Sequence, residues 1–83
     1  MAWQIASRQK VLEWLAQEPD ALRREAFLAW LPVLAEDPRR DALPVPNRPP
    51  IVFVREVLRA NLAVTFLIAE QYQAIQLISI DDL

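Results

Sequence analysis

The chain of 83 residues contains no cysteine, no histidine and no glycine. Without cysteine it has no disulfide and no thiolate ligand for zinc, so nothing in it requires an oxidising compartment. The missing histidine removes the commonest general base and the commonest ligand of transition metals. A P-loop and a GxGxxG fingerprint both need glycine where the backbone approaches phosphate, and both are excluded. We therefore predict neither a metal site nor a cofactor.

Basic charge is scarce in the last third of the chain. The net charge is −2 and the isoelectric point is near 5.0. All nine basic residues lie at or before Arg59, and after it only Glu70, Asp81 and Asp82 carry side-chain charge. Proteins that bind nucleic acids obtain a large part of their affinity by neutralising phosphates. The charge distribution therefore disfavours nucleic acid as the partner.

The chain also lacks a long apolar run. The longest one, Leu62 to Ala69, is interrupted by Thr65 and is less than half of the roughly 20 residues that span a bilayer. The first residues, MAWQIASRQK, lack the apolar segment of a secretory signal. We predict a cytoplasmic protein with no membrane partner.

The first 40 residues predict a short strand and two helices. Trp3 and Ile5 alternate with smaller or polar residues, as in a strand, and Ser7 is the expected cap of the first helix. The second helix should run from about Pro19 or Ala21 to about Glu36. We expect a kink or break near 29–31, because Pro32 removes a helical hydrogen bond and clashes with the preceding turn. This half of the chain is therefore mainly helical.

The second half predicts a meander of strands. Three apolar runs follow in quick succession: IVFVREVL (51–58), LAVTFLIA (62–69) and AIQLISI (74–80). Asn61 is a plausible left-handed turn residue between the first two, and 39–50 is a proline-rich irregular connection. Because 62–69 is apolar on both alternating sets of positions, we expect a central strand covered on both faces. The whole chain, 1–83, reads as one α+β domain with the helices packed on one face of a small antiparallel sheet.

This element order, β-α-α-β-β-β, resembles the RelE/ParE superfamily, the toxins of type II toxin–antitoxin modules. The stretch LEWLAQEPDALRREAFLAWLPVLAEDPR (12–39) is similar to the helical region of the family, which often closes on an L-A-x-D-P turn. Here that turn reads LAEDP (34–38). The runs 62–69 and 74–80 resemble the central pair of strands. The resemblance implies a RelE/ParE-like fold and an antitoxin as the protein partner.

The resemblance does not extend to the residues that the family uses to cleave RNA. RelE-type ribonucleases usually carry an arginine early in the central strand and a tyrosine three positions later, where this chain has Ala63 and Phe66. Basic and aromatic residues follow the last strand in those enzymes, whereas here the chain reads DDL (81–83). RNA cleavage needs a base, an acid and cations that stabilise the phosphorane. The pattern favours a protein that is not an enzyme.

Six side chains are candidates for partner binding: Arg39, Arg40, Arg48, Arg55, Arg59 and Trp14. We expect Arg55 and Arg59 on one face of the first long strand, roughly 13 Å apart. Each arginine has an alternative interpretation as part of a solvated strand edge or loop. Trp14 lies at the margin of the apolar stripe of its helix, so both a core position and an interface position stay open.

Three functions are compatible with these observations. The first is a RelE/ParE-like toxin that acts by binding protein, with a gyrase-directed, ParE-like action fitting better than a RelE-like one. The alternative is a non-toxic interaction or scaffold subunit, which the acidity supports because these toxins are commonly basic. The least favoured is an active ribosome-dependent mRNA endoribonuclease that uses Arg55, Arg59 and the arginines of the loop. A homodimer formed through an exposed strand edge also stays open.

Overall fold

The computed structural model describes residues 2–83 of the chain. A five-stranded sheet in the order β1-β5-β4-β3-β2 carries two helices on one face. The parallel pair is β1 with β5, and the other neighbours are antiparallel. The elements are β1 (Gln4–Ser7), α1 (Gln9–Gln17), α2 (Ala21–Glu36), β2 (Leu43–Pro44), β3 (Val52–Val57), β4 (Leu62–Ala69) and β5 (Ala74–Asp82), with 3₁₀ turns at Leu58–Ala60 and Glu70–Tyr72.

The predicted α+β architecture is confirmed, including the order of helices and strands. The short first strand is also confirmed, and it lies beside the last one, so it extends the sheet at one edge. The proline-rich connection adds one element that the sequence did not predict. In it, Leu43 pairs with Val54 and Pro44 with Phe53, which gives a two-residue strand at the other edge.

Two details of the helices differ from the expectation. Ser7 does not cap α1: it belongs to β1, where it pairs with Leu77, and Arg8 precedes the helix without a side-chain cap. Pro32 does not break α2, which continues to Glu36. Because Pro32 has no N–H, the carbonyl oxygen of Leu28 lacks its helical hydrogen-bond donor. Leu28 lies on the half-exposed side of the helix. The opposite side is buried in the core and keeps the helix in place.

Unlike α1, α2 has a side-chain cap, which is Asp20. Its Oδ1 accepts hydrogen bonds from the backbone N–H groups of Leu22, at 2.9 Å, and Arg23, at 3.3 Å, at the start of α2. The turn before β4 also follows the prediction, because Asn61 adopts the left-handed conformation with φ 53°. Gln73 does the same before β5, with φ 50°. Because the chain has no glycine, polar residues occupy these left-handed positions.

The core lies between the helices and one face of the sheet. Along β4, buried side chains alternate with half-buried ones. The buried side chains of β4 form one core cluster with side chains of α1, α2 and β5. The fully buried members are Leu62, Val64, Phe66 and Ile68 on β4, Val11 on α1, Phe27 and Leu34 on α2, and Ile75 and Leu77 on β5. The other face of β4 has no helix against it, so the expectation that both faces are covered is wrong. None of the helices in 2–83 is long and apolar enough to cross a membrane.

Replacing Leu34 by alanine should lower the free energy of unfolding by about 2–5 kcal/mol, because its fully buried side chain leaves a cavity between α2 and the sheet. Leu28→Ala is the matched control on the same helix, since Leu28 is half exposed, and it should cost no more than about 0.5 kcal/mol. Urea denaturation followed by circular dichroism measures both. Equal losses would contradict the assignment of the buried face.

Candidate functional site

The side of the sheet away from the helices is largely accessible to solvent, although Val52 on that side is buried. We call it the open face, and it comprises Val54 and Glu56 of β3 with Ala63, Thr65 and Leu67 of β4. Val54 lies opposite Thr65, and Glu56 lies opposite Ala63. Apart from the exposed Glu56, these side chains are only half-buried. This face is therefore available to a second molecule.

An apolar cleft of about 460 Å³ lies at one end of the open face. Three of its side chains are large, apolar and mostly exposed: Leu58 at 72%, Leu43 at 61% and Leu83 at 60%. Exposed apolar side chains gathered in one concavity are typical of a binding surface, whereas scattered ones are not. We call this feature the leucine cleft, and it is lined by Asp41, Leu43, Val54, Glu56, Leu58, Ala63 and Leu83.

Acidic side chains flank Ala63 on the open face. Glu56 lies directly opposite it on β3, and Asp81 lies directly opposite it on β5. Residues paired in this way have their Cβ atoms about 5 Å apart. Ala63 therefore lies between two exposed acidic residues, which would repel a phosphate group.

Phe66 lies on the other side of the sheet from Ala63. It is fully buried, and its ring stacks on that of Phe53 with the centroids 6.3 Å apart. The two positions that the family resemblance singled out are three residues apart on one strand and so face opposite ways. Phe66 is a core residue here, and no single site on this sheet contains both positions.

Arg55 and Arg59 do not lie on one strand face, contrary to the expectation. β3 ends at Val57, and Arg59 belongs to the 3₁₀ turn that follows. Arg55 is only 6% exposed, on the helix side of the sheet. Its Nη1 donates a hydrogen bond to the carbonyl oxygen of Asp37 at 3.1 Å. A solvated edge therefore does not describe Arg55, although both arginines line a second cavity, between α2 and β3.

That second cavity contains an aromatic contact as well. The guanidinium carbon of Arg55 lies 5.7 Å from the ring centroid of Trp30, within the range of a cation–π interaction. We call this cavity, of about 300 Å³, the Arg55 pocket.

The other candidates lie outside both cavities. Arg39 forms an ion pair with Glu70 on the surface, and Arg40 and Arg48 are exposed in the proline-rich connection. Trp14 packs edge-to-face on Phe27, with ring centroids 5.3 Å apart. Trp14 is half-buried and packs against the core. Its contribution to a binding site stays a prediction.

Among residues 2–83, Arg23 makes the most side-chain polar contacts, and no pattern in the sequence predicts them. Nε donates to the carbonyl oxygen of Ala60 at 2.8 Å, and Nη2 donates to that of Asn61 at 3.2 Å. Ion pairs to Asp82 and, at 3.1 Å, to Glu18 complete the network. The hydrogen bond to Asp82 raises the pKa of Arg23, against the lowering effect of partial burial, so the guanidinium stays charged. Arg23 thereby joins the start of α2 to the turn before β4 and to the end of β5.

Comparison with known proteins assigns this geometry to a structural class. No family model and no curated protein sequence matches the chain, but solved structures do. A chain of the toxin–antitoxin complex RelBE2 from Mycobacterium tuberculosis matches with a TM-score of 0.84 and 13% identity, over 100% of both chains. The isolated E. coli RelE toxin matches with a TM-score of 0.77 and 14% identity, over 98% of this chain and 84% of that chain.

An archaeal structure extends the comparison. A chain of the RelE–RelB complex from Pyrococcus horikoshii OT3 matches with a TM-score of 0.69 and 15% identity, over 99% of this chain and 96% of that chain. The chain therefore has the fold of the RelE toxins along almost its whole length, and the resemblance inferred from the sequence is confirmed for the fold.

Arg23→Gln should loosen the end of β5, because the guanidinium holds Asp82 and the carbonyl oxygen of Asn61 at the same time. Hydrogen exchange at the Leu83 amide, which donates to that same carbonyl oxygen at 3.0 Å, should become faster. Arg40→Gln, an exposed arginine in the loop, is the matched control and should leave that rate unchanged. An unchanged rate in Arg23→Gln would show that the network has no structural effect.

Proposed function

We propose that this chain is a cytoplasmic member of the RelE/ParE toxin superfamily that acts by binding protein and is paired with an antitoxin. The observation that carries the proposal is the leucine cleft on a RelE-type fold. Leu43, Leu58 and Leu83 are all more than half exposed and line one concavity. Burying such side chains against a partner is the main source of affinity in a protein interface.

The structural neighbours support a polypeptide partner. Two of the three matched chains described above come from complexes of a toxin with its antitoxin, RelBE2 and RelE–RelB. An apolar or amphipathic segment of an antitoxin would find its contacts in the leucine cleft, where one strand face carries no helix. Arg40 and Arg59 are exposed and adjoin in sequence the cleft residues Asp41 and Leu58, and in such a complex they would attract acidic side chains of the partner.

The electrostatics of the open face favour protein binding over RNA cleavage. Glu56 and Asp81 flank Ala63 on both neighbouring strands, so a phosphate at this position would meet two carboxylates. Ribonuclease chemistry requires cations at the corresponding place. We therefore rank an active ribonuclease last. We place a gyrase-directed, ParE-like action ahead of a RelE-like one only because Ala63 and Phe66 stand where RelE-type ribonucleases carry arginine and tyrosine.

A non-toxic interaction or scaffold subunit is the second candidate. The net charge of −2 favours it, because the toxins of this superfamily are commonly basic. This candidate would use the same leucine cleft, so binding alone does not separate it from the toxin. Toxicity does.

Leu58→Asp should weaken binding to the polypeptide encoded by the gene beside that of this chain by about tenfold or more, because it places a carboxylate in the leucine cleft. Leu22→Asp is the matched control: Leu22 is 76% exposed and does not line the cleft. Isothermal titration calorimetry of the three purified, folded proteins measures the effect. Equal weakening by both substitutions would argue against the cleft as the interface.

Induced expression of the chain alone should arrest the growth of a bacterial culture, and co-expression of the neighbouring polypeptide should relieve the arrest. The reason is that binding to the antitoxin removes the free toxin by mass action. Optical density over several generations is the measurement, with an empty vector as the control. Normal growth in the presence of soluble, folded protein would favour the scaffold subunit.

A further inference from the structure

Arg55 is a buried cation for which the described chain supplies little compensation. It is 6% exposed, and its one side-chain hydrogen bond within 2–83 goes to the neutral carbonyl oxygen of Asp37. No carboxylate among these residues comes within the 4.0 Å of an ion pair with it. A guanidinium has five N–H donors, and a buried charge is normally paired. Arg55 therefore has donors available at the wall of a pocket.

The pocket beside Arg55 has the shape and lining of a binding site. It has a volume of about 300 Å³. Its α2 side is formed by the small or apolar residues Ala26, Ala29 and Val33, together with the ring of Trp30. Two cations line the pocket, the buried Arg55 and the exposed Arg59, together with the carboxylates of Asp41 and Glu56. The apolar wall of α2 beside Arg55 lowers the local dielectric and strengthens the attraction of this guanidinium for an anion.

The Arg55 pocket adjoins the leucine cleft. Asp41, Glu56 and Leu58 line both cavities, so one extended segment that passes over Leu58 could occupy both. The acidic side chains of Asp41 and Glu56 at this boundary would repel a polyanion such as RNA more than a single carboxylate. Continuity with the cleft and this charge pattern both favour a polypeptide with an isolated acidic residue.

We propose that the Arg55 pocket receives the carboxylate of one aspartate or glutamate side chain from a partner polypeptide, with apolar neighbours of that residue seated on Leu58 and on α2. The guanidinium fork matches a carboxylate in geometry and charge, and such bonds are among the strongest in proteins. The inference rests on the proposed function only in taking the partner to be a protein.

Two short peptides test the pocket in the wild-type chain. The probes are acetyl-Leu-Glu-Leu-amide and acetyl-Leu-Gln-Leu-amide, which differ only in the carboxylate. The indole N–H of Trp30, one of three tryptophans, reports occupation of the pocket in a ¹H–¹⁵N spectrum. We expect a saturable shift of this signal with the glutamate peptide, and roughly tenfold weaker binding of the glutamine peptide. Equal responses, or no response at millimolar concentration, would overturn the proposal.

Variants connect the response to Arg55. Arg55→Gln should abolish the preference for glutamate over glutamine, while Lys10→Gln, at an exposed position of α1 outside both cavities, should keep it. A preference that persists in folded Arg55→Gln would overturn the proposal. If Arg55→Gln does not fold, Arg59→Gln separates the two arginines of the pocket: the preference should persist in this variant, and its loss would overturn the assignment to Arg55.

The two proposals can fail separately. Equal responses to the two peptides, together with weaker partner binding by Leu58→Asp, would remove the carboxylate site and keep the protein-binding function. A glutamate-specific response, together with no binding of a partner at the leucine cleft, would keep the carboxylate site and remove the leucine cleft as the protein interface.

Discussion

The structure depends on the packing of two helices against one face of β4. Phe27 and Leu34 of α2 contact a core that includes Leu62, Val64 and Phe66, and all five side chains are fully buried. Because side chains alternate along a strand, burying this set commits its neighbours to the opposite side of the sheet. The open face, the leucine cleft and the position of Ala63 all follow from that register.

The same register separates residues that the sequence alone would combine. Ala63 and Phe66 correspond to a pair of positions in the family resemblance, yet one faces solvent and the other lies in the core. Ala63 lies in the leucine cleft, where exposed leucines and the carboxylates of Asp41 and Glu56 line one concavity. A surface of this kind is suited to apolar side chains of a protein partner and poorly suited to phosphate. The fold is that of the RelE toxins, and a shared fold does not by itself fix the chemistry of this face.

Most of the fold could be predicted from periodicity, because the strand runs and the second helix carry strong alternating or helical patterns. The misses have specific physical causes. Ser7 pairs with Leu77 of β5, which is far from it in sequence, and local propensity cannot predict such a contact. Pro32 is tolerated in α2 because its unpaired carbonyl lies on the half-exposed side of the helix. Arg55 reads as a surface residue by type, and only the packing of α2 over β3 buries it.

The site was less predictable than the fold. Local sequence identified single arginines, whereas the leucine cleft is assembled from β2, β3, β4, the turn before β4 and the end of the chain. Arg23 is a similar case, since its partners come from three separate segments. Such clusters appear only when the tertiary structure brings distant positions together.

Mapping of RNA 5′ ends in growing cells that express the chain tests the central claim most directly, which is that the open face binds protein and does not cleave RNA. A culture expressing the E. coli RelE toxin would serve as the positive control. The account predicts no new RNA ends at defined positions with this chain. Defined new ends that disappear in Arg59→Ala, while that variant stays folded, would contradict it.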